Sequence, residues 1–92
     1  MENSEFYLVV EDIFEIAGKG IVVIGWVQGG SIEKGNKIVV VSRLFENKNC
    51  TVLGIEKFNK LLKIAYPGDY IGVTLSHISK KDIHKKDILK KI

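Results

Sequence analysis

The sequence has little that could stabilise it covalently or carry it across a membrane. Cys50 is the only cysteine, so the chain cannot form an internal disulfide, which fits a reducing compartment such as the cytoplasm. No apolar run approaches the ~20 residues that are needed to cross a bilayer. Residues 1–5 have neither the positive flank nor the apolar core of a secretion signal. We therefore expect a soluble, cytoplasmic protein without a membrane partner.

The motifs of catalysis are missing as well. The pattern G-x-x-x-x-G-K-[ST] does not occur, so we expect that this chain alone binds no GTP. The glycines of Gly18-Lys19-Gly20 are followed by no predicted helix, and they predict a tight turn. His77 and His84 have no cysteine pair beside them and are too sparse for a metal site. We expect no cofactor, no metal, no catalytic residue and no enzymatic activity.

Short apolar runs, rich in β-branched residues and separated by turn residues, make up most of the chain. Such runs are typical of β-strands. Six or seven short strands in a chain of 92 residues predict an all-β fold, a closed antiparallel six- or seven-stranded β-barrel, because closure removes exposed strand edges. We expect residues 1–92 to form one domain. The main runs are residues 6–10, 13–16, 21–27, 37–44, 50–58 and 70–75.

Three further segments have a less regular pattern. Residues 58–66 have a helical composition, but Pro67 and Gly68 would end a helix after barely two turns. Gly54 interrupts a predicted strand and indicates a bulge or a close approach of two backbones. Residues 46–49 are polar and predict the tip of a hairpin.

Two pairs of residues could serve either structure or binding. Trp26 and Tyr70 could form a stacking platform for bases. Aromatic residues in strands more often pack in a core or cover a barrel end, and we expect that role here. Adjacent Glu11 and Asp12 point to opposite faces of a strand, so we expect a buried Asp12 that accepts hydrogen bonds from backbone amides.

Residues 79–92 are predicted to be a lysine-rich closing turn and strand, with the turn near 80–83 and the strand at about 87–91. Six lysines and two aspartates give this segment a net charge of +4. Such a segment could bind the phosphates of a nucleic acid by releasing counterions. It could also be a solvated edge that keeps the domain soluble, which is the more common role.

Several longer stretches resemble one family. The similarity extends over essentially the whole chain, and it is to the second domain of elongation factor Tu and its translational GTPase relatives. The resemblance implies a stand-alone homologue of that domain with a six- or seven-stranded barrel. The stretches that carry it are residues 10–14 (VEDIF), 16–25 (IAGKGIVVIG), 30–36 (GSIEKGN), 54–60 (GIEKFNK), 67–73 (PGDYIGV) and 83–89 (IHKKDIL).

The same resemblance implies a binding site. In elongation factor Tu this barrel helps to hold the aminoacylated 3′ end of tRNA, in a pocket with apolar walls and a carboxylate beside the base. By resemblance, that RNA 3′-end pocket falls on Glu11, Ile16, Val22, Glu56 and Thr74. Lys85 corresponds to a basic residue that approaches the tRNA 5′ end. We expect the phosphate-contacting residues to be Lys85, Lys86, Lys90 and Lys91.

These features predict a non-catalytic, translation-related binding module whose partner is RNA, either a tRNA acceptor end or ribosomal RNA. The alternative is a protein–protein interaction module that docks on a translational GTPase, on a ribosomal protein or on itself. A barrel whose ancestral pocket has been replaced by another binding activity is a third possibility. Binding to RNA through lysines should weaken steeply between ~50 and ~200 mM salt, whereas apolar docking should not.

Overall fold

The computed structural model describes residues 5–92, so residues 1–4 of the predicted domain lie outside the described range. In this range no helix is long and apolar enough to span a membrane. Among residues 5–92, the helical structure is a single 3-10 turn at Lys80–Asp82. The strands are β1 (Tyr7–Val9), β2 (Asp12–Ile16), β3 (Gly20–Trp26), β4 (Ile32–Glu33), β5 (Lys37–Val41), β6 (Lys48–Lys57), β7 (Lys60–Leu62), β8 (Ile64–Ala65), β9 (Tyr70–Leu75) and β10 (Ile88–Lys91).

The main sheet is antiparallel and strongly curled, with the strand order β1-β10-β5-β6-β9-β3-β2. β7 pairs with β6, and β4 and β8 form a separate two-stranded ladder. The first and last strands of the path, β1 and β2, are consecutive in the chain. Beyond the end of β3, Gln28 exchanges both backbone hydrogen bonds with Tyr7, each at 2.9 Å. The predicted all-β fold is confirmed, and it contains short strands that the sequence pattern did not resolve, β4, β7 and β8.

The concave face of the curled sheet holds one aliphatic core. Val23, Val73 and Ile55 are directly opposite one another on β3, β9 and β6, and each is 0% exposed. Full burial of a side chain of this kind stabilises a fold by about 1.5–3 kcal/mol. Alternate residues of these strands therefore point inward and fix the register, and the residues between them form the outer face.

The segment after β6 is a hairpin, so the predicted helical character of residues 58–66 is wrong. Phe58 and Asn59 have φ values of 52° and 64°. Positive φ at both central residues is typical of the type I′ turn, whose twist matches that of a β-hairpin. The chain therefore returns as β7 along β6, and the hydrogen bonds of that pairing outweigh the local helix propensity.

Two other predictions concern β5 and β6. The loop between these strands lies earlier than predicted, and the predicted bulge in β6 is present. The strand predicted at 37–44 ends at Val41, because the Ser42 hydroxyl accepts hydrogen bonds from the amides of Leu44 and Phe45, both at 3.3 Å. The following loop is residues 42–47, and β6 already begins at Lys48, so the polar tip lies earlier than predicted. The bulge predicted at Gly54 is confirmed by a register shift between Val52 and Gly54.

The C-terminal strand joins two parts of the sheet. β10 pairs with β1 on one side and with β5 on the other, and Leu89 is 0% exposed. Before it, the carboxylate of Asp82 accepts hydrogen bonds from the Ser79 amide and hydroxyl, at 3.2 and 2.8 Å. The Ser79 bonds lower the pKa of Asp82. The predicted turn and strand of the lysine-rich segment are thus observed close to their expected positions.

Candidate functional site

Two grooves lie side by side on the outer face of the sheet. The first, of about 270 Å³, we name the aromatic groove; its lining includes Phe14, Ile16, Val22, Glu56, Phe58, Tyr70 and Gly72. The second, of about 480 Å³, we name the leucine groove; its lining includes Lys19, Lys34, Leu53, Gly54, Leu61, Lys63 and Thr74.

The floor of the aromatic groove depends on a glycine. Gly72 on β9 lies between Ile24 of β3 and Glu56 of β6. Because Gly72 has no side chain, a trough remains between its two neighbours. A Cβ atom at this position would lie 3.4 Å from a Val22 methyl carbon, so a side chain there would fill the groove. Val22 itself is only 5% exposed although it points away from the core.

Tyr70 lines this groove, and the exposed ring of Trp26 packs against Tyr70. Trp26 and Tyr70 are opposite each other on β3 and β9, with ring centroids 4.7 Å apart and planes inclined at 49°. They are 49% and 41% exposed, so they do not pack in the core, and the other expected role, covering a barrel end, stays a prediction. Their position in the strands places them on the outer face, in phase with Ile24 and Gly72.

The rim beside Tyr70 carries a carboxylate. The Tyr70 hydroxyl donates a hydrogen bond to Glu11 Oε1 at 3.1 Å. Partial burial of the phenol, followed by this bond to Glu11, raises the pKa of Tyr70. Glu11 is itself exposed, and its backbone amide donates to the Ile24 carbonyl at 2.8 Å. The contact between Glu11 and Tyr70 therefore fixes an anionic group at the mouth of the aromatic groove.

An ion pair marks the boundary between the two grooves. Lys19 Nζ lies 3.0 Å from Glu56 Oε2, and the two side chains are 38% and 37% exposed. Lys19 lines the leucine groove, whereas Glu56 lines the aromatic groove. Glu56 thus has one oxygen bonded to Lys19 and remains accessible to solvent on the side of the aromatic groove.

The β6–β7 turn beside the aromatic groove is held by a second ion pair. Lys57 Nζ lies 2.7 Å from Asp69 Oδ1 and 5.6 Å from the centroid of the Phe58 ring. The hydrogen bond from Lys57, with a second one from the Tyr66 amide, lowers the pKa of Asp69. The β6–β7 turn that presents Phe58 is therefore tied to the turn before β9.

The structure brings together most of the residues that the resemblance implied for the pocket. Ile16, Val22 and Glu56 line the aromatic groove, and Glu11 reaches its rim through Tyr70. Thr74 lines the leucine groove instead; it is 6% exposed and is the direct cross-strand neighbour of Val22.

The predicted phosphate-contacting lysines fall into two pairs. Lys85 and Lys86 lie in the turn before β10, where the Lys86 amide donates to the Val10 carbonyl at 2.8 Å. This turn is adjacent to the Glu11 rim. Lys90 and Lys91, on β10, line a separate depression beside Tyr7.

The carboxylate of Asp12 was predicted to be buried, but it is partly exposed. Its side chain is 48% exposed, and Lys85 Nζ lies 3.9 Å from its Oδ1. The predicted bond to a backbone amide is present, because Oδ1 accepts from the Ile13 amide at 2.9 Å. The reason is register: Asp12 has the same phase as Phe14 and Ile16, and this phase of β2 is the outer one.

Sequence reasoning missed Phe14, Phe58 and Gly72. The alternation of Asp12, Phe14 and Ile16 along one strand face was a signal for Phe14. Phe58 was hidden by the helical composition of its segment. Gly72 forms the groove floor only because β9 pairs with two strands that are distant in the sequence. A local sequence pattern does not show such pairing.

The histidines take no part in either groove. The His84 ring stacks on Phe45 with centroids 4.9 Å apart, and His77 is exposed. Within residues 5–92, no group of three or more histidine, cysteine or acidic side chains could hold a metal ion.

Comparison with models of protein families gives a match over residues 20–89. The matching family is described as elongation factor Tu domain 2. The matched range is about three quarters of the chain. It begins at β3, ends within β10, and includes the glycine floors of both grooves.

Proposed function

Because this chain belongs to the elongation factor Tu domain 2 family, we propose that it is a non-catalytic, translation-related module that binds RNA in the cytoplasm. The partner is a tRNA acceptor end or ribosomal RNA. No cofactor is required, since the proposed role is to hold an RNA strand and not to change it.

The aromatic groove is the observation that carries this proposal. Phe14, Phe58 and Tyr70 offer aromatic rings, and Val22 provides an apolar wall. Recognition of RNA commonly uses unstacked bases that lie on such rings, and each stack contributes about 1–3 kcal/mol. A groove of about 270 Å³ suits a single base with part of its ribose.

The polar groups at the groove give the proposed pocket its selectivity. Glu56 accepts a hydrogen bond from an amino group of the base, while Ile16 and Val22 form the apolar walls. Glu11, fixed by Tyr70, lies where the ribose hydroxyls would pass. Thr74 supports Val22 from the neighbouring strand and has no direct contact with the base in this proposal.

The lysines supply the electrostatic part. Lys85 and Lys86 lie beside the Glu11 rim and would contact the phosphates nearest the bound base. Lys90 and Lys91 lie further along β10 and would contact phosphates more distant from it. Release of counterions by these four lysines makes the affinity depend on salt.

The decisive experiment fills the aromatic groove. Gly72→Val places a side chain on its floor, and Gly54→Val, on the floor of the leucine groove, is the matched control. Fluorescence anisotropy with a tRNA and with ribosomal RNA fragments should show Kd raised about tenfold by Gly72→Val, the equivalent of one lost base stack. The control should bind as the unchanged chain does, and equal affinities for both variants would refute the pocket.

A second measurement tests the lysines. Changing Lys85, Lys86, Lys90 and Lys91 to Gln should lower the slope of log K against log salt by about 0.7 for each lost contact to a single-stranded phosphate. An unchanged slope would remove these lysines from the proposal and leave the groove untouched.

The alternative function is docking on a translational GTPase, on a ribosomal protein or on a second copy. It is favoured by exposed apolar side chains on the same face, Phe58 at 86% and Trp26 at 49% exposed. A complex that survives ribonuclease and keeps its affinity between ~50 and ~200 mM salt would support docking over RNA binding.

We also infer that the curled sheet closes as a barrel. The consecutive strands β1 and β2 stand at the two ends of the sheet path, and the bonds between Tyr7 and Gln28 support the inference. In hydrogen exchange, the amides of Tyr7 and Gln28 should be as protected as those of the central strands. Exchange at the rate of an unpaired edge would show an open sheet.

A further inference from the structure

The leucine groove is larger than the aromatic groove and differs from it in chemistry. Leu53 on β6 and Leu61 on β7 both line it, and they are 48% and 79% exposed. Lys34 and Lys63 stand at the rim, with Lys19 beside them. Among the described residues that line it, none is acidic and none is aromatic. A cationic rim over an aliphatic floor is therefore presented to the solvent.

The groove is a built feature of the strands around it. Gly54 sits at the bulge of β6, and a Cβ atom there would find only Thr74 Oγ1, at 4.0 Å. The β6–β7 turn brings Leu61 opposite Glu56. The Lys34 amide donates to the Lys63 carbonyl at 2.9 Å, so the backbones that carry the two rim lysines are joined. These contacts hold the walls and the rim in place before any ligand arrives.

We propose that the leucine groove binds a short acidic segment of a partner protein. Aliphatic side chains of the segment fill the floor between Leu53 and Leu61, and its Asp and Glu carboxylates face Lys34 and Lys63. This site is separate from the RNA pocket proposed above, and it does not depend on RNA binding.

The chemistry of the groove selects this occupant over a nucleic acid. Exposed leucine gains free energy when it is buried against other apolar atoms, at roughly 25 cal/mol per Å². A base would find no ring on which to stack here, and a phosphate chain would contact the lysines while leaving the leucines in water. An acidic peptide with aliphatic residues satisfies both parts of the surface.

Charge complementarity indicates which lysines contact the acidic segment. Lys19 is bonded to Glu56, whereas neither Lys34 nor Lys63 forms an ion pair with a carboxylate of residues 5–92. These two lysines are therefore the ones that meet the acidic side chains. Because they are exposed, their contribution should be screened by salt, and the leucines should supply the affinity that remains at high salt.

The test begins with a display library of random peptides of about 12 residues, a length that spans a groove of this kind. Selection on the full chain should enrich peptides that carry Asp or Glu next to Leu, Ile or Phe. The best of these peptides is then measured by fluorescence anisotropy. Failure to enrich acidic, apolar sequences would overturn the proposal.

Matched variants locate the binding site. Gly54→Leu, which fills the leucine groove, and the pair Lys34→Glu with Lys63→Glu should each raise the Kd of the selected peptide about tenfold or more, since hot-spot changes commonly have this size. Gly72→Val, in the other groove, should leave it unchanged. Binding that resists Gly54→Leu, or that is equally lost with Gly72→Val, would refute the assignment.

A second variant tests the proposal even if Gly54→Leu does not fold. Leu61→Asp changes a side chain that is 79% exposed, so it should leave the fold intact and still abolish peptide binding. Circular dichroism checks the fold of each variant. If tRNA affinity falls with Leu61→Asp and the peptide affinity does not, the groove serves RNA and the peptide proposal is wrong. The RNA pocket is judged separately, by Gly72→Val.

Discussion

The aromatic groove and the leucine groove lie on the same outer face and share strand β6, yet their chemistry differs. One presents the rings of Phe14, Phe58 and Tyr70, and the other presents aliphatic walls under lysines. Both depressions arise in the same way, from a glycine in the sheet, Gly72 in one and Gly54 in the other. One curled sheet therefore offers two unlike binding surfaces, because different side chains surround each missing Cβ.

The two grooves also differ in how they are assembled. The aromatic groove needs five elements, β2, β3, β9, β6 and the β6–β7 turn, to meet with the right register. The leucine groove is mainly the product of β6, its bulge and the hairpin that follows. The first is thus sensitive to distant strand pairings, and the second is sensitive to local hairpin geometry.

The largest change in unfolding free energy is expected when a packed glycine is replaced. Replacing a glycine on a groove floor should have a small effect. At Gly25 an added Cβ would lie 2.5 Å from the Val9 carbonyl oxygen, so Gly25→Ala should destabilise the fold by about 3 kcal/mol. Gly54→Ala has open space and should stabilise it by about 0.5 kcal/mol through the unfolded chain. Urea unfolding measures both, and equal effects would mean that the grooves are not open sites.

The second prediction concerns β6, the strand that both grooves share. Burial raises the pKa of the Cys50 thiol from 9.0 to about 11. The unfolded thiol ionises first as pH rises, so stability should fall between pH 9 and 11, by roughly 2–3 kcal/mol in total. The difference between the unfolding free energies of the unchanged chain and Cys50→Ala, followed over this range, isolates the thiol. Parallel curves would show that the thiol ionises as easily in the fold as outside it.

The third prediction tests whether the aromatic groove is kept at the expense of stability. Phe58 is 86% exposed and has a φ of 52°, which a bulky residue rarely adopts. Phe58→Asn should stabilise the turn by about 1 kcal/mol and weaken RNA binding. Thermal unfolding and anisotropy measure the two effects. Leu61→Asn, in the leucine groove, should produce neither effect. Normal RNA binding by Phe58→Asn would show that the Phe58 ring is not part of the RNA pocket.

The smallest effect is expected at the boundary between the grooves. The Lys19–Glu56 pair is partly exposed, so a double-mutant cycle with Lys19→Met and Glu56→Gln should give a coupling energy of about 0.5 kcal/mol. Such a value means that the two grooves behave independently. A coupling energy well above 1 kcal/mol would show that the two grooves act as one site.

Much of the secondary structure followed from local patterns, and the exceptions have physical causes. Tyr70–Leu75 and the bulge at Gly54 were predicted from alternation and from the missing side chain. Residues 58–66 were misjudged, because pairing with β6 and β4 overrides helix propensity. Asp12 was assigned to the wrong environment, since the alternation of residues in a strand defines two faces and does not say which one is covered.

For the candidate site, local patterns identified few residues. Ile16, Val22 and Glu56 were named through the resemblance to a family, and the structure brings these three into one groove. Their proximity follows from the register in which Phe14 faces Val22 and Glu56 faces Gly72. A register of this kind joins residues far apart in the chain, so composition and spacing do not contain it.

The positions of turns and extended segments and the mainly aliphatic interior follow from local sequence, because glycine placement and β-branched runs act over a few residues. The strand faces that form grooves, the glycines that form their floors and the lysines that form their rims depend on the fold. Those outcomes depend on strand pairing across the curled sheet, and each pairing sets the neighbours of a side chain that lies many residues away.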